Sequence, residues 1–197
     1  MMLIIPALPH NSVNRQARLK NAKRVALLGI GSTLRADDAA GTLIAQQAGR
    51  NLKNSRVPPT KSAVPFSTSA NTSPKHSRPT KMGEITAFKV FFGETAPENV
   101  TGEIRSFKPS HIIMIDSADF GAKPGTIRLI EPGEIGGFSF STHALPLRML
   151  AEYLIESLKC KIIVIGIQPK ALKFGEKMSA EVRKAVKLVS SAIIEVL

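Results

Sequence analysis

The chain has 197 residues, 43% of them hydrophobic and 21% charged, which are proportions typical of a globular protein with a substantial buried core. It contains no run of ~18 apolar residues, and no basic segment precedes its apolar opening, so neither a membrane span nor a signal peptide is predicted. We therefore expect a cytoplasmic protein. The single cysteine, Cys160, cannot form an internal disulfide, and it precedes an apolar run, which predicts a buried structural thiol.

The net charge of +12 is concentrated in two parts of the sequence. Residues 1–24 hold five Lys and Arg and residues 51–83 hold six, in both cases without an acid, which leaves sixteen bases and fifteen acids elsewhere. Because no aromatic side chains alternate with these bases for stacking on nucleobases, we expect a solvated basic periphery and no nucleic-acid partner. A polyanion-binding protein is the alternative that these basic segments leave open.

The same two segments define the predicted organisation of a single domain over residues 1–197. Residues 1–23 form a basic N-terminal extension. Residues 51–83 carry five of the thirteen prolines among Ser, Thr, Asn and Lys, without any hydrophobic period. Such a composition buries too little apolar area to offset the entropy of ordering, which predicts a flexible insertion within the domain.

Elsewhere, apolar runs alternate with helical stripes. Strands are predicted at VALLGI (25–30), AFKVFF (87–92), HIIMID (111–116), TIRLI (126–130) and KIIVIGI (161–167). Helices are predicted on the stripes Ile44, Ala45, Ala48, Leu52; Leu147, Leu150, Ala151, Leu154, Leu158; and Val182, Ala185, Val186, Val189, Ile193. Pro146 suits the first turn of the second helix, and Ser179 is a cap for the third. The alternation predicts an α/β domain with a mostly parallel sheet, whose ligands bind beyond the carboxyl ends of the strands.

The stretch GIGSTLRADDAAG (29–41) follows the first predicted strand. A dinucleotide-binding G-x-G-x-x-G motif would require glycine where the chain has Leu34, and the carboxylates of Asp37 and Asp38 would repel a pyrophosphate. We therefore interpret the glycines as permitting a tight exit from the strand. Helix capping explains one aspartate more readily than two in succession.

Three further residues stand at ends of the predicted elements. Asp116 ends an apolar strand, Asp119 precedes a Gly and Pro-Gly loop typical of a turn, and His143 lies in a loop before a predicted helix. Together, Asp38, Asp116 and His143 offer oxygen and imidazole donors from three connections, a set suited to a divalent metal such as nickel or zinc. The predicted topology brings them together, whereas their spacing does not require it.

Other candidate residues are assigned no role. The histidines without a predicted ligand role are His10, His76 and His111. Ser139 and Ser141 flank the loop histidine, but the G-x-S-x-G elbow of serine hydrolases is absent from the sequence. The H-E-x-x-H motif of zinc proteases is absent as well.

Five motifs carry a resemblance to a known family: LLGIGSTLRADDAAG, GETAPENV, IIMIDSADFGAKPGTIRLIEPGEI, STHALPL and VIGIQP. They occur in the same order as in the hydrogenase maturation endopeptidases, and the chain most resembles the hydrogenase 3-type branch over roughly residues 24–197. The resemblance implies a three-layer α/β/α sandwich with a twisted sheet. It also implies an endopeptidase that removes the C-terminal extension of a nickel-iron hydrogenase large-subunit precursor after nickel insertion.

The resemblance also implies the site. The family's metal-contacting and catalytic residues correspond to Asp38, Asp116 and His143, and the nickel is carried by the substrate rather than held tightly by the peptidase. Asp37 would serve at the helix start or orient its neighbour. Two positions depart from the family pattern: Ser32 replaces the usual asparagine, which affects a hydrogen bond near the site, and Ala39 replaces the usual glycine, which affects the local turn.

Several alternatives stay open at this point. A related peptidase could act on another metalloprotein, and a docking protein could check the large subunit for nickel without cutting it. For a peptidase, either the metal polarises the scissile carbonyl or an aspartate activates water as a general base.

Overall fold

The structure is a computed structural model that describes residues 19–54, 85–137, 139–140 and 147–196. Its strands are β1 (Arg24–Ile30), β2 (Ala87–Glu94), β3 (His111–Asp119), β4 (Ile127–Ile130), β5 (Ser139–Phe140) and β6 (Lys161–Ile167). Its α-helices are α1 (Ala40–Asn54), α2 (Thr101–Phe107), α3 (Leu147–Leu158) and α4 (Ala180–Val196). Short 3₁₀ helices span Ala36–Ala39, Pro97–Val100 and Pro132–Gly137.

The strands form one mostly parallel sheet, as predicted. Its order is β2–β1–β3–β6–β4, and β5 pairs with β3 outside this path. The pairs β1–β2, β1–β3 and β3–β6 are parallel, whereas β4 runs antiparallel to β6 and β5 antiparallel to β3. Val25 lies opposite His111 and Gly29 opposite Ile115, so β1 and β3 direct their carboxyl ends to the same edge of the sheet.

Helices cover both faces of this sheet. Successive side chains of a strand point to opposite faces, so Val25 and Leu27 pack with α1 and α4, while Ala26 and Leu28 pack with α2 and α3. Burying a leucine or isoleucine completely contributes roughly 1.5–3 kcal/mol through removal of apolar surface from water. The two clusters therefore stabilise the three-layer α/β/α arrangement that the family resemblance implies.

Some boundaries differ from the predicted ones. Helix α1 continues through Asn54, so the first four residues of the predicted insertion (51–83) are helical. The remainder of the insertion lies outside the described residues, as do residues 1–18 of the predicted N-terminal extension (1–23) and Pro146. Helix α2 and the two-residue strand β5 were not predicted, because each is too short to show a hydrophobic period.

Hydrogen bonds around Ser110 join neighbouring segments at the amino edge of the sheet. Its hydroxyl accepts the backbone N–H groups of Lys23 and Arg24 at 3.0 and 3.1 Å. The Arg24 guanidinium lies over the Phe107 ring and donates to the Phe107 carbonyl. The His111 ring is buried with its Nδ1 3.1 Å from the Ser110 hydroxyl. These contacts tie the start of β1 to the connection between α2 and β3.

None of the helices in the described part of the chain is long and apolar enough to cross a bilayer. Cys160 is buried directly before β6, and burial raises the pKa of its thiol. A buried thiol with a raised pKa is a poor nucleophile, in agreement with the structural role predicted for it.

Candidate active site

The chain leaves β1 through a tight turn at Gly31. This residue has a φ of +113°, and a Cβ there would lie 1.8 Å from the carbonyl oxygen of Asp38. The Thr42 hydroxyl donates to the Gly31 carbonyl at 2.6 Å. A glycine is therefore required where the chain folds back and brings Asp38 next to the end of β1, which confirms the predicted tight exit.

Gly41 lets α1 begin in direct contact with the sheet. A Cβ at this position would lie 2.1 Å from the carbonyl oxygen of Ile115 and 2.4 Å from that of Ile30. Any larger residue would push the helix away from β1 and β3. The preceding 3₁₀ helix, which carries Asp37 and Asp38, is thereby held against the carboxyl edge of the two central strands.

Asp38 is buried and points back toward the end of β1. Its Oδ2 accepts the backbone N–H of Ser32 at 2.9 Å, and its Oδ1 accepts the hydroxyl of Ser117 at 3.2 Å. The N-terminus of the 3₁₀ helix that carries Asp38 has no side-chain cap. Ser32 donates to Asp38 through its backbone N–H, so this hydrogen bond does not require the asparagine that is usual in the family. Ala39 fits within the 3₁₀ helix at a negative φ.

Asp116 lies within β3 rather than at its end, because pairing with β6 continues through Ser117 and pairing with β5 extends the strand to Asp119. It is one residue beyond the last pairing of β3 with β1. The Asp116 side chain is fully buried, and its Oδ1 accepts the backbone N–H of Ser117 at 2.7 Å. Ser117 therefore connects the two carboxylates, donating its N–H to Asp116 and its hydroxyl to Asp38.

The third predicted ligand, His143, lies outside the described residues. The strand that precedes it by three positions, β5, pairs with Ala118 and Asp119 of β3, just beyond Asp116. Among the residues that the structure describes, no group of three or more His, Cys, Asp and Glu could hold a metal ion. The described site thus consists of two carboxylates and the serine between them.

Asp37 performs a task that the sequence analysis missed. Its side chain is fully buried, Oδ2 accepts the backbone N–H groups of Lys170 and Ala171 at 2.8 and 3.1 Å, and Oδ1 accepts that of Ser179 at 2.7 Å. Its own N–H donates to the Ala171 carbonyl. Asp37 lies in the first turn of the 3₁₀ helix, but its side chain does not cap that helix; it ties the β1–α1 connection to the segment between β6 and α4. The predicted cap is confirmed, since the Ser179 hydroxyl accepts the N–H of Val182.

Gln168 is a second residue that the sequence analysis missed. Its Oε1 accepts the backbone N–H groups of Phe120 and Ala122, and its Nε2 donates to the Asp119 carboxylate at 3.0 Å. Hydrogen bonds from Gln168 and from the Gly121 N–H lower the pKa of Asp119, which forms the predicted turn. The signal in the sequence that could have identified Gln168 is its position as a polar residue directly after the buried strand β6.

The three connections at the carboxyl edge are thus joined pairwise. Ser117 links β3 to the β1–α1 connection, Asp37 links that connection to the segment after β6, and Gln168 links this segment to the turn after β3. Burying carboxylates is costly unless hydrogen bonds or a cation compensate. A carboxylate has about four lone-pair positions, and the Asp38 carboxylate accepts one hydrogen bond on each oxygen, so it retains capacity for a further ligand.

Of the residues assigned no role, Ser139 lies in β5 opposite Asp119, and the others lie apart from this site or outside the described residues. His111 is at the opposite end of β3, five residues from Asp116, a separation of roughly 16 Å along an extended strand. Burial and the positive charge of Lys161 lower the pKa of its imidazole. The remaining residues outside the described part are His10, His76 and Ser141.

Comparisons with known proteins agree on one family. Residues 80–196 match the sequence profile of the hydrogenase maturation protease family HycI. The hydrogenase 3 maturation protease of Escherichia coli K12 is 29% identical over 164 residues, which cover 83% of this chain and 84% of that protein.

Two solved structures of proteins in this family have the same arrangement. A crystal structure of a NiFe hydrogenase maturation protease HycI from Thermococcus kodakarensis superposes with a TM-score of 0.68 and 25% identity, covering 92% of this chain and 96% of the other. The solution structure of an endopeptidase HycI from Escherichia coli gives a TM-score of 0.58 and 28% identity over 85% and 87% of the two chains. The chain therefore belongs to the hydrogenase maturation protease family and is an endopeptidase of hydrogenase maturation.

Proposed function

We propose that this endopeptidase removes the C-terminal extension of a nickel-iron hydrogenase large-subunit precursor in the cytoplasm, after nickel has been inserted. The observation that carries the proposal is the pair of buried carboxylates, Asp38 and Asp116, connected by Ser117 at the carboxyl edge of the sheet. Membership of the hydrogenase maturation proteases supports the substrate class.

Nickel belongs to the substrate in this proposal, and Asp38, Asp116 and His143 contact it there. The chemistry of the donors supports this assignment, because carboxylate oxygens and an imidazole are ligands that divalent metals accept in proteins. The two carboxylates and the imidazole give three donors, fewer than the roughly four ligands of a resident structural metal. A metal that the substrate already holds needs only the remaining positions.

The residues of this chain then act mainly by positioning. Contact between the carboxylates and the substrate's nickel fixes the scissile peptide relative to Asp38 and Asp116, and well-oriented groups lower a barrier by removing the entropy of encounter. A buried carboxylate beside the scissile peptide then accepts a proton from the attacking water as a general base. The positive charge of the nickel offsets the cost of the two buried negative charges.

The test is mass spectrometry of a nickel-loaded hydrogenase 3-type large-subunit precursor after incubation with the protein, beside a nickel-free precursor. We expect a C-terminal peptide to be lost only from the nickel-loaded sample. Binding that depends on nickel without any mass change would instead favour a docking protein that does not cut. Fractionation of cells that produce the protein tests the compartment.

The site assignment is tested by Asp38→Asn, which keeps the side-chain shape and removes the charge. We expect the cleavage rate to fall by at least about 10²–10³-fold with the fold retained, as for the loss of other transition-state contacts. Asp119→Asn is the matched control, since this exposed carboxylate lies at the same edge in a turn. Normal cleavage by Asp38→Asn would overturn the assignment.

A further inference from the structure

Two large apolar side chains at the carboxyl edge are unusually exposed. Leu34, in the β1–α1 connection, is 61% exposed, and Phe174, between β6 and α4, is 76% exposed. The next most exposed large apolar side chain in the described part of the chain, Met149, is at 54%. With most of their surface in water, Leu34 and Phe174 contribute little to the hydrophobic core.

The segments that carry these side chains are hydrogen-bonded to each other. The N–H of Gly175 donates to the Leu34 carbonyl at 2.9 Å, and the Arg35 Nε donates to the Leu172 carbonyl at 3.3 Å. Single exposed apolar residues are ordinary on protein surfaces, whereas neighbouring ones mark contact sites. We call the surface formed by Leu34 and Phe174 the apolar rim.

Asp37 connects the two segments of the apolar rim next to Asp38. Asp37, three residues after Leu34 and directly before Asp38, binds the backbone of Lys170, Ala171 and Ser179 on the other segment. A surface that is already ordered loses little conformational entropy when a partner binds. The same buried residue therefore fixes both the site and the position of the rim.

We propose that the apolar rim binds the large-subunit precursor beside its cleavage site and is a determinant of substrate specificity. This inference rests on the proposed function. The occupant is the substrate polypeptide rather than a second copy of this chain, because the rim begins four residues from Asp38 and a second copy there would obstruct access to the carboxylates. Lys173 beside Phe174 pairs with Glu176 at 3.6 Å, and Lys177 leaves residues 173–177 with one excess positive charge, so we expect the complementary segment to carry an apolar side chain and an acidic residue.

The experiment measures KM and kcat for cleavage of the nickel-loaded precursor, and the dissociation constant of the complex, with Leu34→Ser, Phe174→Ser and the double variant. Removing an apolar contact of this size changes affinity by about tenfold or more. We expect KM and the dissociation constant to rise by about tenfold for each single variant and further for the double variant, with kcat within about twofold of the wild type. Phe174→Leu keeps an apolar contact and should recover most of the affinity.

Leu188→Ser is the matched control, because Leu188 is a large apolar side chain on α4 that is 38% exposed and lies outside the rim. Thermal unfolding of every variant verifies the fold. If the wild type cleaves the precursor and the double variant has an unchanged KM and dissociation constant, the inference on the rim is wrong and the proposed function stands. If the wild type neither binds nor cleaves the precursor, the proposed function and the inference fail together.

Discussion

The two edges of the sheet use similar hydrogen bonds for different purposes. At the amino edge, the hydroxyl of Ser110 and the guanidinium of Arg24 bind backbone groups and tie the start of β1 to the chain before β3. At the carboxyl edge, Asp37 binds backbone amides in the same way, but the loops it joins also carry the buried Asp38 and an exposed apolar surface. The amino edge maintains the fold, whereas the carboxyl edge maintains the fold and a site together.

The largest effect is expected for the loss of Asp37, the residue that joins the loops of the carboxyl edge. Asp37→Ala removes the acceptor for three backbone N–H groups, and buried donors without a partner are costly, so we expect the free energy of unfolding to fall by about 3 kcal/mol. Urea denaturation measures this change. The exposed Asp119 provides the control, since Asp119→Ala should cost less than about 1 kcal/mol. A loss below about 1 kcal/mol for Asp37→Ala would show that the tie is dispensable.

An intermediate effect is expected for Ser117→Ala, which removes the hydroxyl that binds Asp38 and leaves the backbone bond to Asp116 in place. We expect kcat to fall by about tenfold, the scale of a misplaced catalytic group, while stability drops by only about 1 kcal/mol. Steady-state cleavage and urea denaturation measure the two quantities separately.

Ser110→Ala sharpens the comparison as the matched serine variant of the amino edge. Among the described residues, its hydroxyl bonds to the start of β1 and lies beside the His111 ring, so its loss should lower stability by about 1–2 kcal/mol and leave kcat unchanged. Equal losses of kcat in the two serine variants would mean that the edges do not differ in the way described.

The smallest effect concerns pH and His111. Burial and Lys161 lower the pKa of its imidazole in the folded state below the ordinary value of 6.5, so the unfolded chain takes up a proton first as pH falls. This contribution to stability is therefore present above about pH 6.5 and decreases as pH falls from there toward the folded-state pKa.

The variant His111→Gln isolates this effect, because a glutamine side chain does not titrate. Between about pH 7.5 and about pH 6, we expect the free energy of unfolding of this variant to vary less than that of the wild type. A parallel pH dependence of the two proteins would assign the effect to another group.

The strands and part of the site followed from the sequence for simple reasons. A strand covered on both faces reads as a continuous apolar run, and the run predicted at 161–167 is β6. Parallel strands that begin at one edge end at the other, so Asp38 and Asp116 were expected to meet although 78 residues separate them in the sequence.

The remaining features depend on contacts that leave no pattern in a single sequence. The partners of Asp37 are backbone amides, which every residue except proline possesses, so no residue type identified them. The extension of β3 past Asp116 depends on its pairing with β6 and β5 rather than on composition. The exposure of Leu34 and Phe174 likewise follows from how two distant loops meet.

The tie made by Asp37 also has a consequence for protein synthesis. Its acceptor oxygens bind amides that lie 133 to 142 residues later in the chain. A ribosome therefore has to translate through Ser179, and release that residue from its exit tunnel, before this carboxylate meets its partners. The site at the carboxyl edge is consequently completed late in synthesis, when most of the 197 residues have been made.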